Sequence, residues 1–109
     1  MITIDASVWT ALFEPKDAFH IATVTFLREC ERRHVELFTP SLAMVETACA
    51  MARRLKDSAK GLAVARSLQA IPVLRWVDVE MPLIDEAMTL GTRCLLRGPD
   101  AIYTAAAAS

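Results

Sequence analysis

The segment VELFTPSLAMVETACAM, residues 35–51, contains the pattern that decides the fold. Its first five residues are typical of a short buried strand, and its remainder has the apolar periodicity of a helix. The Thr39-Pro40 pair between them predicts a helix start, with Thr39 as the cap and Pro40 at the first helical position. A strand that leads directly into a helix is typical of α/β proteins.

The same alternation recurs along the whole chain. MITID (residues 1–5) predicts the first strand, and the helix after it ends at Glu14-Pro15. IPVLRWVDV (71–79) predicts the third strand. Five further helices are predicted. They are one capped by Asp17, one that carries Glu46 and runs to about Leu55, one capped by Asp57 or Ser58, one that begins at Met81-Pro82, and one that begins at Asp100. The helix that begins at Met81-Pro82 is expected to turn inward an apolar stripe of Ile84, Ala87, Met88, Gly91, Cys94 and Leu95. This order predicts a three-layer α/β/α fold around a central parallel sheet.

Length and composition agree with one domain. A chain of 109 residues with 54% hydrophobic residues can support a core, and a net charge of −1 gives no sign of a nucleic-acid or acidic partner and excludes little. No run of about 20 apolar residues could span a membrane. Three cysteines without zinc-ligand spacing, expected on the apolar sides of helices, fit a reducing cytosol, so we expect a cytoplasmic protein.

Glu46 is the one charged residue between Leu37 and Ala52. A carboxylate on an otherwise apolar helix face needs an arginine, a metal ion or solvent in a cleft, because an unpaired buried charge is costly. The alternative is that this face of the helix is turned to water. Its neighbours one helical turn away are all uncharged: Leu42, Ala43, Cys49 and Ala50.

Two further acids fall where a site could form. Asp5 ends the first strand, and Glu46 lies roughly 9 Å along its helix from the same sheet edge, where parallel sheets bind ligands. Asp100 starts the last predicted helix. Asp5 and Asp100 could alternatively be simple helix caps. Two ionised acids about 4 Å apart repel by roughly 4 kcal/mol, so a cluster needs a cation or a proton. Oxygen ligands without histidine or cysteine favour Mg²⁺ or Mn²⁺.

Three motifs now show a family resemblance: ITIDASVWTALFEP, FTPSLAMVETACAM and LRGPDAIYTAAAA. In order and spacing they resemble the acidic motifs of PIN-domain proteins, particularly VapC-type toxins. The resemblance implies a Mg²⁺- or Mn²⁺-dependent endoribonuclease, with Asp5, Glu46 and Asp100 as catalytic metal ligands and Ser7 beside the metal. It also implies an RNA substrate, a cognate antitoxin and a homodimer. Arg97, just before the third motif, could contact a phosphate or simply end a helix.

The family usually has a fourth acid after a further strand, and the sequence ends before such a strand could begin. We therefore expect residues 1–109 to be a single PIN-like domain truncated at its C-terminus, with one or more strands missing. Two alternatives stay open. One is a degenerate, non-catalytic domain that binds RNA or a protein. The other is a metal-dependent phosphatase or receiver-like domain, and it is weaker because only Asp78 could accept phosphate. Trp9 and Trp76 are expected to pack in the core or an interface rather than stack on bases.

Overall fold

A computed structural model describes residues 2–72 and 74–109. Within these residues, three strands and six helices follow one another in an α/β order, as the sequence predicts. In chain order they are β1 (Ile2–Thr3), α1 (Ala6–Phe13), α2 (His20–Arg32), β2 (Leu37–Pro40), α3 (Leu42–Leu55), α4 (Ser58–Gln69), β3 (Leu74–Val77), α5 (Met81–Cys94) and α6 (Gly98–Ala108).

The strands form one parallel sheet in the order β1-β2-β3. Leu37 of β2 pairs with Ile2 on one side and with Leu74 on the other. Pairing continues beyond the end of β1, because the Ile4 amide donates to the Phe38 carbonyl at 2.7 Å. The predicted α/β class with a central parallel sheet is therefore confirmed.

Three predicted helix starts are wrong by about two residues. α2 begins at His20 with Phe19 at its cap position, so Asp17 does not cap it, because the Asp17 side chain accepts from the Phe19 amide ahead of the helix. Pro40 is the last residue of β2 rather than the first of α3, because the Ser41 amide still donates to the Val77 carbonyl of β3 at 2.9 Å. The chain therefore leaves the sheet one residue later than the Thr39-Pro40 signal indicates. The last helix begins at Gly98, so Asp100 lies inside its first turn and is not its cap.

The main core lies around β2 and the first helix. Trp9, only 1% exposed, packs there, and Trp76 packs against the same cluster, so the prediction that both tryptophans serve packing is confirmed. The buried members of this cluster are Ile4, Trp9, Cys30, Leu37, Ala43, Leu68 and Leu74.

A second cluster joins α5 to α6, and here the predicted inward stripe is partly wrong. Ala87 and Gly91 are buried as predicted, and the third buried residue of α5 is Leu83. Met88 and Leu95 are exposed. A Cβ atom at Gly91 would stand 2.8 Å from the Cβ of Ala101. The two helices approach so closely that the buried stripe follows a spacing of four residues along the line of contact.

The cysteine prediction also holds only in part. Cys30 is buried in the main core, but Cys49 and Cys94 are exposed. The close contacts of α3 and α5 lie on other faces of these helices, as the buried Thr47, Met51, Ala87 and Gly91 show. Within the described residues, every helix is too short or too polar to cross a membrane.

Candidate active site

Asp5 leaves the end of β1 and caps α1. Its Oδ1 atom accepts hydrogen bonds from the Ser7 amide at 3.0 Å, the Val8 amide at 3.3 Å and the Ser7 hydroxyl at 2.5 Å. The capping role left open by the sequence is therefore real. It occupies one carboxylate oxygen only: within residues 2–72 and 74–109, no hydrogen bond reaches Oδ2. The side chain is exposed, so Oδ2 is accessible to a ligand.

Glu46 lies in the second turn of α3 and is partly buried. Its Oε1 atom accepts a hydrogen bond from the hydroxyl of Tyr103 at 2.7 Å. It also lines an open cleft. The apolar helix face therefore tolerates the carboxylate for two reasons, because the cleft exposes it to solvent and a tyrosine hydroxyl is its partner.

Tyr103 connects all three motifs at this edge of the sheet. Its hydroxyl accepts from the amide of Ala6, the residue after Asp5, at 3.2 Å while it donates to Glu46. One half-buried oxygen thereby ties α6 to the start of α1 and to α3. The contact with α3 spans 57 residues of sequence.

The electrostatics of Tyr103 keep this bridge protonated. Burial raises the pKa of its hydroxyl well above the ordinary value, and the Glu46 carboxylate raises that pKa further. The Asp5 carboxylate acts in the same direction, so Tyr103 experiences the negative charge of both acids, and only the Ala6 amide opposes them. The hydroxyl therefore remains a donor at neutral pH and holds Glu46 in one orientation.

Asp100 lies three residues before Tyr103 in α6, which places the two residues on neighbouring positions of one helix face. Its side chain is exposed. Arg97 occupies the cap position before α6, so it ends no helix, and it is not among the described residues that line the cleft. The structure therefore ties Glu46 and the residue after Asp5 to one bridging hydroxyl and leaves Asp100 on the adjoining helix face.

The cleft beside Glu46 has a volume of about 920 Å³ and lies between α1, the start of α2 and α3. Ser7 and Glu46 line it, whereas Asp5 and Asp100 are not among its described lining residues. At its other end the walls become basic. The lining residues are Ala6, Ser7, Val8, Thr10, Ala11, Asp17, Ala18, Phe19, Thr23, Val45, Glu46, Cys49, Ala50, Arg53 and Arg54.

The three predicted metal ligands do not form a complete coordination site in the described residues. In residues 2–72 and 74–109, no group of three or more histidine, cysteine, aspartate or glutamate side chains is arranged to hold a metal ion. The chemistry of the available oxygens nevertheless suits a hard divalent cation, because Asp5 and Glu46 each keep one carboxylate oxygen outside the hydrogen bonds described above. Metal binding by the three acids stays a prediction.

Tyr103 is the site residue that the sequence did not reveal. It stands within the third motif, and its position one helical turn after Asp100 was the available signal, since residues three apart share a helix face. No local pattern shows that the hydroxyl would meet Glu46, because that contact depends on how α6 packs against α3.

Comparison with known proteins supports the fold. No protein-family model matches the sequence, and no curated protein is significantly similar to it. Among solved structures, the chain is similar to Mycobacterium tuberculosis VapC20, a toxin that cleaves the sarcin–ricin loop. The TM-score is 0.78 at 21% sequence identity, over 96% of this chain and 79% of the VapC20 chain. The chain therefore has the fold of a PIN-domain toxin, as its three acidic motifs predict.

Proposed function

We propose that this protein is a Mg²⁺- or Mn²⁺-dependent endoribonuclease that hydrolyses RNA phosphodiester bonds. The observation that carries the proposal is the Tyr103 hydroxyl, which donates to Glu46 and accepts from the amide of Ala6, the residue after Asp5, beside an open cleft at the carboxyl edge of the parallel sheet. The fold shared with a ribonuclease toxin supports it.

Asp5, Glu46 and Asp100 are the residues that would hold the cation. When bound, a divalent ion would activate water and offset the charge that builds up on the phosphodiester. The protein's own contribution is orientation. The Ser7 hydroxyl and two amides hold Oδ1 of Asp5, and Tyr103 holds Oε1 of Glu46, so the second oxygen of each acid is presented in a defined direction.

A second candidate function is a degenerate PIN-like domain that binds RNA or a protein without cleaving. The observation that favours it is the lack, within the described residues, of a closed group of three acids. Both candidates use the same cleft, but only the first requires the charge of Glu46.

The decisive experiment is cleavage of a defined RNA by the purified protein in Mn²⁺, with Glu46→Gln as the test variant. We expect the rate to fall by about 100-fold or more, because loss of a group that only orients a metal ligand costs roughly 10–100-fold and Glu46 is here proposed as a ligand itself. Glu86→Gln is the matched control, since Glu86 is exposed on α5 and is not a lining residue of the cleft. Equal rates for wild type and Glu46→Gln would remove Glu46 from the mechanism, and absence of cleavage by the wild type in Mn²⁺ would reject the nuclease proposal.

Asp5→Asn separates the two roles of Asp5. Asparagine caps helices about as well as aspartate, so the variant keeps the cap of α1 while it removes the negative charge. We expect unchanged thermal stability and strongly reduced cleavage. Asp100→Asn tests the third acid in the same assay, and wild-type activity in that variant would remove Asp100 from the catalytic set.

We propose further that the protein is the toxin of a toxin–antitoxin pair, that it forms a homodimer, and that it acts in the cytoplasm. The fold of VapC20, itself a toxin, supports the first of these. A small neighbouring reading frame whose product co-purifies with the protein and inhibits cleavage is the expected result. Size-exclusion chromatography with light scattering tests the dimer.

A further inference from the structure

The outer face of α5 carries an exposed apolar stripe. Met81 is 62% exposed, Met88 55% and Leu95 91%, and each follows the previous one after seven residues. Positions seven apart share one face of a helix, so these three residues form a line along α5, called here the outer stripe. It lies roughly 100° around the helix from the buried residues that pack on α6, at 3.6 residues per turn. Packing on α6 therefore leaves the outer stripe uncovered.

Leu95 is the least expected member of the outer stripe. It is the C-cap residue of α5, and its backbone is left-handed, with φ 55° and ψ 41°. That conformation is unfavourable for a residue with a large side chain, and glycine is the usual residue at such helix ends. Leucine at this position combines an unfavourable backbone with an apolar side chain in water. A partner that buries Leu95 would offset both disadvantages.

The spacing of the outer stripe makes it complementary to a copy of itself. When two α5 helices pack antiparallel about a two-fold axis at Met88, each residue faces the position equally far on the other side of Met88 in the partner. Met88 then meets the partner's Met88. Met81, seven residues before it, meets the partner's Leu95, seven residues after it. Every member of the outer stripe thereby gains an apolar neighbour.

Two charged residues of α5 agree with the antiparallel orientation. Asp85 and Arg93 are exposed, and among residues 2–72 and 74–109 neither forms an ion pair. Antiparallel pairing brings Asp85 to within two residues, about 3 Å along the axis, of the level of the partner's Arg93. Parallel pairing would instead set Asp85 level with the partner's Asp85. Charge complementarity therefore favours a second copy of this chain in antiparallel orientation.

From this arrangement we propose that two copies of the chain associate through their α5 helices, packed antiparallel about a two-fold axis at Met88. This interface rests on the proposed homodimer and adds its surface and its symmetry. α5 has 14 residues and is about 21 Å long, and a single pair of helices this short buries less than the roughly 800 Å² per partner of a standard interface. The dimer should therefore dissociate in the micromolar range.

Sedimentation equilibrium between about 1 and 200 µM measures the dissociation constant of the wild type, which we expect within that range. Met88→Lys sets two like charges face to face on the two-fold axis, so association should weaken by about ten-fold or more. Leu62→Lys is the matched control, because Leu62 is 54% exposed, almost the same fraction as Met88, but lies on α4. It should associate as the wild type does.

A charge exchange tests the antiparallel orientation. Asp85→Arg places a positive charge beside the partner's Arg93 and should weaken association by about five-fold, since the two-fold axis repeats the repulsion. Asp85→Arg combined with Arg93→Asp restores opposite charges and should recover the wild-type dissociation constant. Association as weak in the double variant as in Asp85→Arg would overturn the antiparallel pairing.

Leu95→Gly separates association from folding. Glycine suits the left-handed backbone, so the thermal midpoint measured at low protein concentration, where the monomer dominates, should rise. Association should nevertheless weaken by about five-fold or more, because the apolar side chain is lost from the interface. A lower midpoint with unchanged association would mean that Leu95 supports only the fold of its own chain, and it would overturn the proposal.

An unchanged dissociation constant in Met88→Lys would overturn this surface even if the wild type is a dimer. A wild type that stays monomeric over the whole concentration range would overturn both the surface and the homodimer. Failure of the nuclease proposal is distinct, because it is read from the absence of cleavage by the wild type in Mn²⁺, whereas association is measured without RNA.

Discussion

The two ends of the cleft are built differently, although both are carried by α3. The acid end consists of Glu46, which lines the cleft, together with Asp5 and Tyr103, which are not among the described lining residues, and its hydrogen bonds join three segments distant in sequence. The basic end consists of Asp17, Arg53 and Arg54, and one exposed ion pair holds it together. The chemistry of the acid end is thus placed by the packed fold, whereas that of the basic end depends on local surface contacts.

The difference extends into the core behind the acid end. Thr39, completely buried in β2, donates to the Ile4 carbonyl at 2.7 Å and accepts from the indole of Trp9 at 3.3 Å. These bonds hold the backbone of Ile4, the residue before Asp5, and the side chain of Trp9 in α1. Buried hydrogen bonds of this kind are expensive to break, because the partners left behind have no water. Exposed ion pairs can exchange their partners for water.

The largest expected effect is therefore at Thr39. Thr39→Val removes both bonds and leaves the Trp9 indole and the Ile4 carbonyl without that partner, so the free energy of unfolding should fall by about 3 kcal/mol. Urea denaturation measures it. Thr39→Ser keeps the hydroxyl and should lose much less. A larger loss in Thr39→Ser than in Thr39→Val would show that the Thr39 methyl group, and not the hydrogen bonds, supports the acid end.

A smaller effect is expected at Tyr103, the bridge of the acid end. Tyr103→Phe should lower the free energy of unfolding by about 1–2 kcal/mol, because a half-buried hydrogen bond to a charged group is lost. Cleavage should also slow, because Glu46 loses its fixed orientation. If Tyr103 acts through Glu46, its effect on cleavage should vanish in the Glu46→Gln background. Additive effects in the double variant would assign Tyr103 a purely structural role.

The smallest effect concerns the pH dependence of the basic end. The Phe19 amide, followed by the Arg54 guanidinium, lowers the pKa of Asp17 below its ordinary value of 3.8. Since the folded pKa is depressed, the stabilisation is fully present above that ordinary value and is lost as the pH falls through the lower, folded pKa. The Phe19 amide resonance should therefore stay unchanged from neutral pH to about pH 4 and shift below it.

Asp17→Asn supplies the control for this titration, since it cannot ionise. Its Phe19 resonance should show no acid transition. A transition near the ordinary pKa of a free carboxyl group in the wild type would mean that the Asp17 contacts are not populated in solution.

Much of the fold could be predicted because local periodicity reports burial. The alternation of strands and helices, the end of α1 at Glu14-Pro15 and the capping of α4 by Asp57 follow from short-range patterns and are confirmed. The same reasoning placed Asp5 at the sheet edge and Glu46 two turns into α3. Such features depend on residues within a few positions of one another.

What the sequence by itself determined, then, is the order of elements and the position of two acids at one edge of a parallel sheet. Tertiary structure alone decided three features. The Ser41 amide bonds to β3, so α3 begins later than predicted; Leu83 rather than Ile84 is buried against α6; and the Tyr103 hydroxyl donates to Glu46. The physical reason is that these three outcomes depend on how closely separate elements pack. Residues that are near one another in the sequence do not determine the distance between those elements.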